Sequence, residues 1–290
     1  MISRRNFIVT TGLATTAVLA SPSFAFSMNK KEIGLQLYTL RHELPKEIKE
    51  TLEKVAAAGY TTVETYGFST KDQFWGLTAK ELKKILDENG LKAISGHYNL
   101  GSFLYDGNTE ELIASIEAAK ILKSEFLTVP WVDEPFRRNI EDYKKIAARL
   151  NEAGKMCKKA GLKLAYHNHD FEFQKHDGVT GFEVLLKETD KDLVFFELDL
   201  YWVVHSGNDP LQLFKENPGR FKMWHVKDKD KNNNDLNTEV GSGTIDFKPL
   251  FVAAKQSGMI HFFVEQENNF ASNSFESIQS SCDFISKNLI

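Results

Sequence analysis

Residues 166–173 read YHNHDFEF, two imidazoles and two carboxylates within eight positions. His167 and His169 are two apart, so on an extended strand both side chains point to one face. Such a pair can ligate a metal, move a proton near neutral pH, or simply bond to polar neighbours. The same density recurs along the chain. Gln36 and Tyr38, Glu64, His97, Trp131, Glu197 and Asp199, His225 with Lys227 and Asp228, and Glu265 with Glu267 stand at the ends of apolar runs. Five of the eight histidines (His97, His167, His169, His205, His225) lie at or near these ends. For one residue an ordinary surface hydrogen bond suffices. A whole ring of them calls for a shared purpose.

Carboxylate and imidazole together make a mixed oxygen and nitrogen ligand set. It suits a divalent transition ion such as Mn²⁺, Zn²⁺ or Co²⁺ better than Ca²⁺. Asp199 follows the run LVFFEL, so its charge is expected in a buried place where it needs a partner, and a cation supplies one. His225 ends FKMW in the same way, and Glu265 ends HFFV. Glu267 has the parity of Glu265 but lies further into the following loop, which makes Glu265 the preferred ligand and Glu267 the alternative.

These ends must be positioned by the elements that carry them. Strand-like runs (EIGLQLYTL, TTVETY, KAISGHYN, EFLTVPW, LKLAYHNH, LVFFELDL, FKMWHVKD, IHFFVEQEN) alternate with helical ones (LPKEIKETLEKVAAAG, TAKELKKILDENG, TEELIASIEAAKILK, NIEDYKKIAARLNEAGKMCKKAG, VTGFEVLLKET, DPLQLFKEN, IDFKPLFVAAKQSG, SNSFESIQSSCDFISKNL). Gly59, Gly90, Gly161 and Gly258 each stand between a helix and the next strand, where glycine accepts the left-handed backbone that ends a helix. Eight such units in about 260 residues predict a single-domain α/β fold, the (β/α)8 TIM barrel, whose functional face is the carboxyl end of its strands. A doubly wound open sheet is the competing architecture, but no helix begins with G-x-G-x-x-G.

The amino terminus is set apart from this pattern. SRRNF carries Arg4 and Arg5, FIVTTGLATTAVLA is mildly apolar, and SPSFA places Ser23 and Ala25 around Phe24. That is the layout of a Tat-type export signal over residues 1–25, with the barrel over 26–290 and the periplasm as the expected compartment. The apolar run is too short and threonine-rich to span a membrane. Without Arg4 and Arg5 the 36 basic residues become 34 against 40 acidic, a net −6, which argues against nucleic acid as a partner. Cys157 and Cys282 make no disulfide framework and read as buried free thiols, with one bridge between them as the alternative.

The strings GLQLYTLR, VETYG, SGHYN, YHNHDFEF, LDLYWVVHSGNDP, WHVKD, GSGTIDF and FVEQE, in this order, resemble the sugar phosphate isomerase/epimerase superfamily of xylose isomerase-like TIM barrels. The resemblance runs over about residues 31–289. It implies four metal ligands from strands five to eight, usually Glu, Asp, His and Glu. The last three fall on Asp199, His225 and Glu265. The first falls on His167, because the family's E-N-H string reads H-N-H here. In the epimerases of that family the two glutamates exchange a proton at the substrate carbon, so the catalytic pair implied here is His167 and Glu265. Imidazole at the first position can still ligate, or act as a base. A second departure is Trp202, where the D-x-x-H of several epimerases reads DLYW. Its ring suits stacking on a sugar or packing beneath the loop.

The expected function is then metal-dependent proton transfer beside a carbonyl on a small carbohydrate, an isomerase or epimerase acting on an unphosphorylated sugar or keto-sugar. Loss of a neighbouring oxygen, as in a keto-glycoside lyase or hydratase, is the second chemistry. A sugar-binding protein without turnover is the non-enzymatic alternative. The apurinic-endonuclease branch needs more histidine ligands than these strand ends supply and suits an acidic chain poorly. Glu64, His97, His169, Trp202 and Lys227 are the expected substrate contacts, with Glu64 and His97 alternatively a structural pair across neighbouring strand ends, and Lys227 directed at an anionic or oxidised group or simply exposed. Glu172 is a candidate general acid or base on the loop after strand five, with plain loop exposure as the alternative, and Asp246 a helix cap. A homo-oligomer is left open.

Overall fold

The structure, a computed structural model, describes residues 32–290. The expected export signal at residues 1–25 lies outside them. Eight parallel strands close into a barrel in chain order: β1 (Gly34–Gln36), β2 (Thr62–Phe68), β3 (Lys92–Tyr98), β4 (Phe126–Val129), β5 (Lys163–His167), β6 (Val194–Asp199), β7 (Phe221–Val226) and β8 (His261–Val264). β1 pairs with β8 through Gly34 opposite Phe263, which completes the (β/α)8 ring. β1 is shorter than its apolar run. The Gln36 side chain accepts from the Tyr38 backbone N–H at 2.9 Å and turns Leu37–Leu40 into a 3-10 helix.

The helices between strands start and stop for local reasons. Thr78 with Glu81, and Thr180 with Glu183, form reciprocal capping boxes at Ala79–Glu88 and Gly181–Glu188. Gly59, Gly90, Gly161 and Gly258 all have positive φ, between 68° and 97°. Asp246 caps Phe247–Val252 as expected, accepting from Lys248 N–H. Two further helices, Gly101–Asp106 and Leu200–His205, have no helical sequence signal. The second, LYWVVH, is β-branched and aromatic, yet Asp199 starts it by accepting the Trp202 N–H at 3.0 Å.

Alternation along the strands divides the core. Ile94, Phe126, Ala165, Met223 and Phe263, with Phe195 against them, form an apolar plug separate from the larger core. Leu127, Leu164, Phe196, Trp224 and Val264 belong to that larger core, which includes the helix faces. The plug carries the site. Moving two residues at a time along four strands gives Ala165, His167, His169; Phe195, Glu197, Asp199; Met223, His225, Lys227; and Phe263, Glu265, Glu267. Each series begins in the plug and continues to the polar carboxyl end. Among the described residues no helix is long and apolar enough to cross a membrane. Cys157 and Cys282 are both buried and unpaired.

Candidate active site

Register brings the strand ends into contact. His167 lies opposite Glu197, Asp199 opposite His225, and Gln36 opposite Glu64. Glu64 and Glu197 form a fully buried acidic centre. Glu64 Oε2 accepts from Gln36 Nε2 at 2.6 Å and from His225 Nε2 at 2.8 Å. His97 Nε2 sits 2.8 Å from Glu197 Oε2 and 3.1 Å from Glu64 Oε2. His225 Nε2 also lies 3.2 Å from Glu197 Oε2, while its Nδ1 donates to Glu265 Oε2 at 3.0 Å. His167 Nδ1 stands 3.3 Å from Glu197 Oε2, and its Nε2 is 4.0 Å from Asp199 Oδ2.

These contacts set unequal proton affinities. Burial works against charge on His97, but Glu64 and Glu197 outweigh it and lift its pKa to about 9. His225 is likewise raised well above the imidazole range against the opposing effect of burial, by Glu197 and Glu265. His167 goes the other way. Burial, followed by the cationic His225, holds it well below its ordinary value. His169 is lowered to about 3 by burial and then by Lys227. Burial and the neighbouring Glu64 lift Glu197 to about 7. Burial would raise Glu64 and Glu265 too, but His97 and His225 for the first, and Lys227 and His225 for the second, keep both below the usual carboxylate range.

Two groups of side chains have ligating atoms all within 4.8 Å of one another: Asp199, His225 and Glu265, and His97, His167, Glu197 and His225. Glu64 Oε1, Glu197 Oε1 and His167 Nδ1 are buried without a hydrogen-bond partner, and Asp199 Oδ2 has only the Lys227 ammonium, at 3.2 Å. Orphaned acceptors beside a mixed carboxylate and imidazole set are what a divalent transition ion would satisfy, so the residues fit one. Of the four ligands expected from the sequence, Asp199, His225 and Glu265 come together. His167 joins the other group, around Glu197.

Above this floor opens a cleft of about 450 Å³. Among the described residues its lining has five aromatic side chains (Tyr38, Tyr66, Phe68, Trp131, Trp202), three acids (Asp170, Glu265, Glu267) and the histidines 97, 167 and 169, but no lysine or arginine. His169 is held on both sides. Its ring stacks on Phe171 with centroids 5.4 Å apart, and its backbone N–H donates to Glu172 Oε2 at 2.8 Å. The Trp202 Nε1 and His169 Nδ1 atoms are buried without partners.

Three expectations change. Glu64 does not line the cleft; it is 0% exposed beneath the floor, bonded to Gln36, His97 and His225. Lys227 is also 0% exposed, and its ammonium faces Asp199, Glu265 and Glu267 rather than an anionic ligand. Glu172, a candidate acid or base, does not line the cleft; it is buried, which removes the exposed-loop alternative, and accepts from Tyr166 Oη at 2.5 Å. His97, His167, His169, Trp202 and Glu265 do line the cleft. Glu197 has a larger place than the sequence assigned to it. Its two-residue spacing from Asp199 marks it as inward-facing, but its centrality depends on register.

A model of the xylose isomerase-like TIM barrel family matches residues 52–287. An inosose dehydratase of Clostridium botulinum is 27% identical over 79% of this chain and 86% of its own. Another inosose dehydratase, of Lacticaseibacillus casei, is 28% identical over 74% and 81%. A solved sugar phosphate isomerase/epimerase of Parabacteroides distasonis superposes with a TM-score of 0.80 at 29% identity, covering 90% of this chain and 96% of that one. These relatives are named as enzymes of both dehydratase and isomerase/epimerase type. The match spans most of the barrel and includes all the strand ends that meet in the cleft except that of β1, and the chain belongs to the xylose isomerase-like TIM barrel family.

Proposed function

We propose that the chain is a lyase of neutral keto-sugars or keto-cyclitols, removing a proton beside the carbonyl and releasing the oxygen on the next carbon. The observation that carries this reading is the His97 and His167 pair. Their ring centroids are 4.9 Å apart, both line the cleft, and their surroundings hold them in opposite protonation states. Neutral His167 is suited to take the carbon-bound proton. Charged His97 is suited to give a proton to the departing hydroxyl, which leaves as water. The two project from β5 and β3, with only β4 between them, so they address one side of a ligand. That suits elimination from neighbouring carbons, and the dehydratase relatives support it. A divalent ion held by Asp199, His225 and Glu265 would polarise the carbonyl oxygen. Among the described residues the lining has no lysine or arginine to receive a phosphate, and its aromatic faces and unpartnered polar atoms suit a neutral polyhydroxylated ring.

A second reading, epimerisation or isomerisation, has its own support in Glu265. This carboxylate also lines the cleft and stays ionised, and it comes from β8, three strands from β5. It would serve as the second proton-exchanging group. The experiment offers unphosphorylated cyclic keto-sugars and keto-cyclitols in deuterium oxide with Mn²⁺. Enone absorbance reports elimination and NMR reports exchange. Elimination that falls about 10²–10⁴-fold in His167→Ala is the expected result. Exchange without loss of oxygen favours the epimerase reading. A ligand that binds but shows neither reaction would leave a sugar-binding protein.

A further inference from the structure

Lys227 extends from the end of β7 with no exposed surface, and its ammonium sits among three carboxylates. Glu267 Oε1 is 2.5 Å away, Glu265 Oε2 2.7 Å and Asp199 Oδ2 3.2 Å. Asp199 and Glu265 also belong, with His225, to the group whose ligating atoms lie within 4.8 Å of one another. Glu267 does not. Its side chain is 29% exposed and it forms part of the cleft wall. The lysine therefore bridges the candidate metal ligands and a carboxylate beside them that is open to the cleft.

An ammonium and a divalent cation cannot both occupy the space against Asp199 Oδ2 and Glu265 Oε2. At such separations like charges in a poorly hydrated interior repel strongly. Nor can these carboxylates stand buried with no cation at all, because an unpaired buried charge is severely destabilising. Of the cations at this spot, His225 is bonded at both nitrogens, to Glu64 and Glu265, and would give up its Nδ1 proton to ligate, so it leaves no charge to be relocated. Lysine alone has a point charge on a flexible four-carbon stem that can be redirected by rotamer changes. We propose that Lys227 is the exchangeable counter-ion of the metal seat: it neutralises Asp199 and Glu265 until a divalent cation takes them, and its ammonium then retires onto Glu267 at the cleft wall. This rests on the reading of Asp199, His225 and Glu265 as metal ligands. Metal affinity is then set by the displacement of lysine as well as by the ligands themselves.

Mn²⁺ binding to the full-length chain, measured by equilibrium dialysis and by the metal-induced rise in Tm, tests the exchange. The variants are Lys227→Met, Glu267→Gln and the two combined. Lys227→Met is expected to bind Mn²⁺ at least about tenfold more tightly than wild type. Its Tm in chelator should fall, and Mn²⁺ should restore it by more than it raises wild type. Glu267→Gln should weaken binding while Lys227 is present, because the displaced ammonium loses its partner, and should have little effect once Lys227 is methionine. Unchanged or weaker binding in Lys227→Met, with wild type still binding, overturns the exchange and leaves the metal reading intact. An equal cost of Glu267→Gln in both backgrounds overturns it too, since Glu267 is then an ordinary ligand. If neither wild type nor Lys227→Met binds Mn²⁺, the metal reading fails along with the proposal. Should Lys227→Met fold only with Mn²⁺ present, the exchange is supported; should it fail to fold in both conditions, the exchange is overturned.

Discussion

Replacing Glu172 by glutamine should make the protein less stable in mild acid and more stable above neutrality. Glu172 is 0% exposed; its Oε1 accepts from Tyr166 Oη and its Oε2 from the His169 N–H. Burial outweighs these two bonds and moves its pKa from 4.5 to about 7. The folded chain thus holds this proton more tightly than the unfolded chain does. The resulting stabilisation is complete below about pH 4.5 and is lost as pH rises through about 7. A rise from 4.5 to about 7 corresponds to about 3 kcal/mol lost across that window. Glutamine cannot ionise, so it escapes this loss, but its single carbonyl oxygen replaces two acceptors at a cost of about 1 kcal/mol. The variant should therefore be about 1 kcal/mol less stable than wild type at pH 4 and below, about equal to it near pH 5, and about 2 kcal/mol more stable near pH 8. Urea unfolding of both proteins across that range measures the difference, in which the titration of all other groups largely cancels. A stability difference that does not change with pH would refute the reasoning. So would a larger cost of glutamine at pH 8, which would mean that Glu172 is ionised in the fold and stabilised by its two donors.

Asp228 holds the GSG loop by accepting four backbone N–H groups, from Lys229, Gly241, Gly243 and Ile245, at 2.8 to 3.1 Å. Asp228→Ala should cost about 3 kcal/mol in urea unfolding, less than four fully buried donors would imply because water reaches part of the loop. Asp199 has two separable duties, one oxygen capping Leu200–His205 and the other facing the proposed metal seat. Asp199→Asn should keep the cap and abolish Mn²⁺ binding in dialysis. Asp199→Ala should abolish binding and also lower stability by about 1 kcal/mol. Equal stability of the two variants would mean the cap contributes nothing.

The barrel was legible because its signals are local and repeated. Four glycines close four helices, and the inward series from Ala165, Phe195, Met223 and Phe263 can be read by counting in twos. That same counting places His167, Glu197, Asp199, His225 and Glu265 at one end. It does not say which of them meet. The contact of Glu197 with three histidines follows from the register of β5, β6 and β7 and from the reach of His97 across the barrel. The burial of Lys227 had no sequence signal, since lysine is ordinarily exposed. It is tolerable because three carboxylates from two strands converge on it. Glu172 reads as a loop residue until the 3-10 turn Phe171–Phe173 folds it back under Tyr166. The helix Leu200–His205 overrides its strand-like composition because Asp199 caps it.

The histidine at position 167 has a consequence for the charge of the whole centre. Glu64, Glu197, Asp199 and Glu265 are packed at the barrel end, each at most 4% exposed. His97, His225 and Lys227 stand among them as cations, and Glu197 is close enough to neutrality, at about 7, to share the balance. A carboxylate at 167 would bring a fifth acid to within a few ångströms of Glu197 and Asp199, whose oxygens lie 3.3 and 4.0 Å from the imidazole nitrogens now there. Such an acid would have to stay protonated or gain a cation, and a divalent ion would supply one. Imidazole removes that necessity, because it can remain neutral in the buried position. It also supplies an unprotonated nitrogen at the floor of the cleft. Histidine at position 167 thus relieves the electrostatic demand of the centre and places there the neutral imidazole on which the proposed elimination rests.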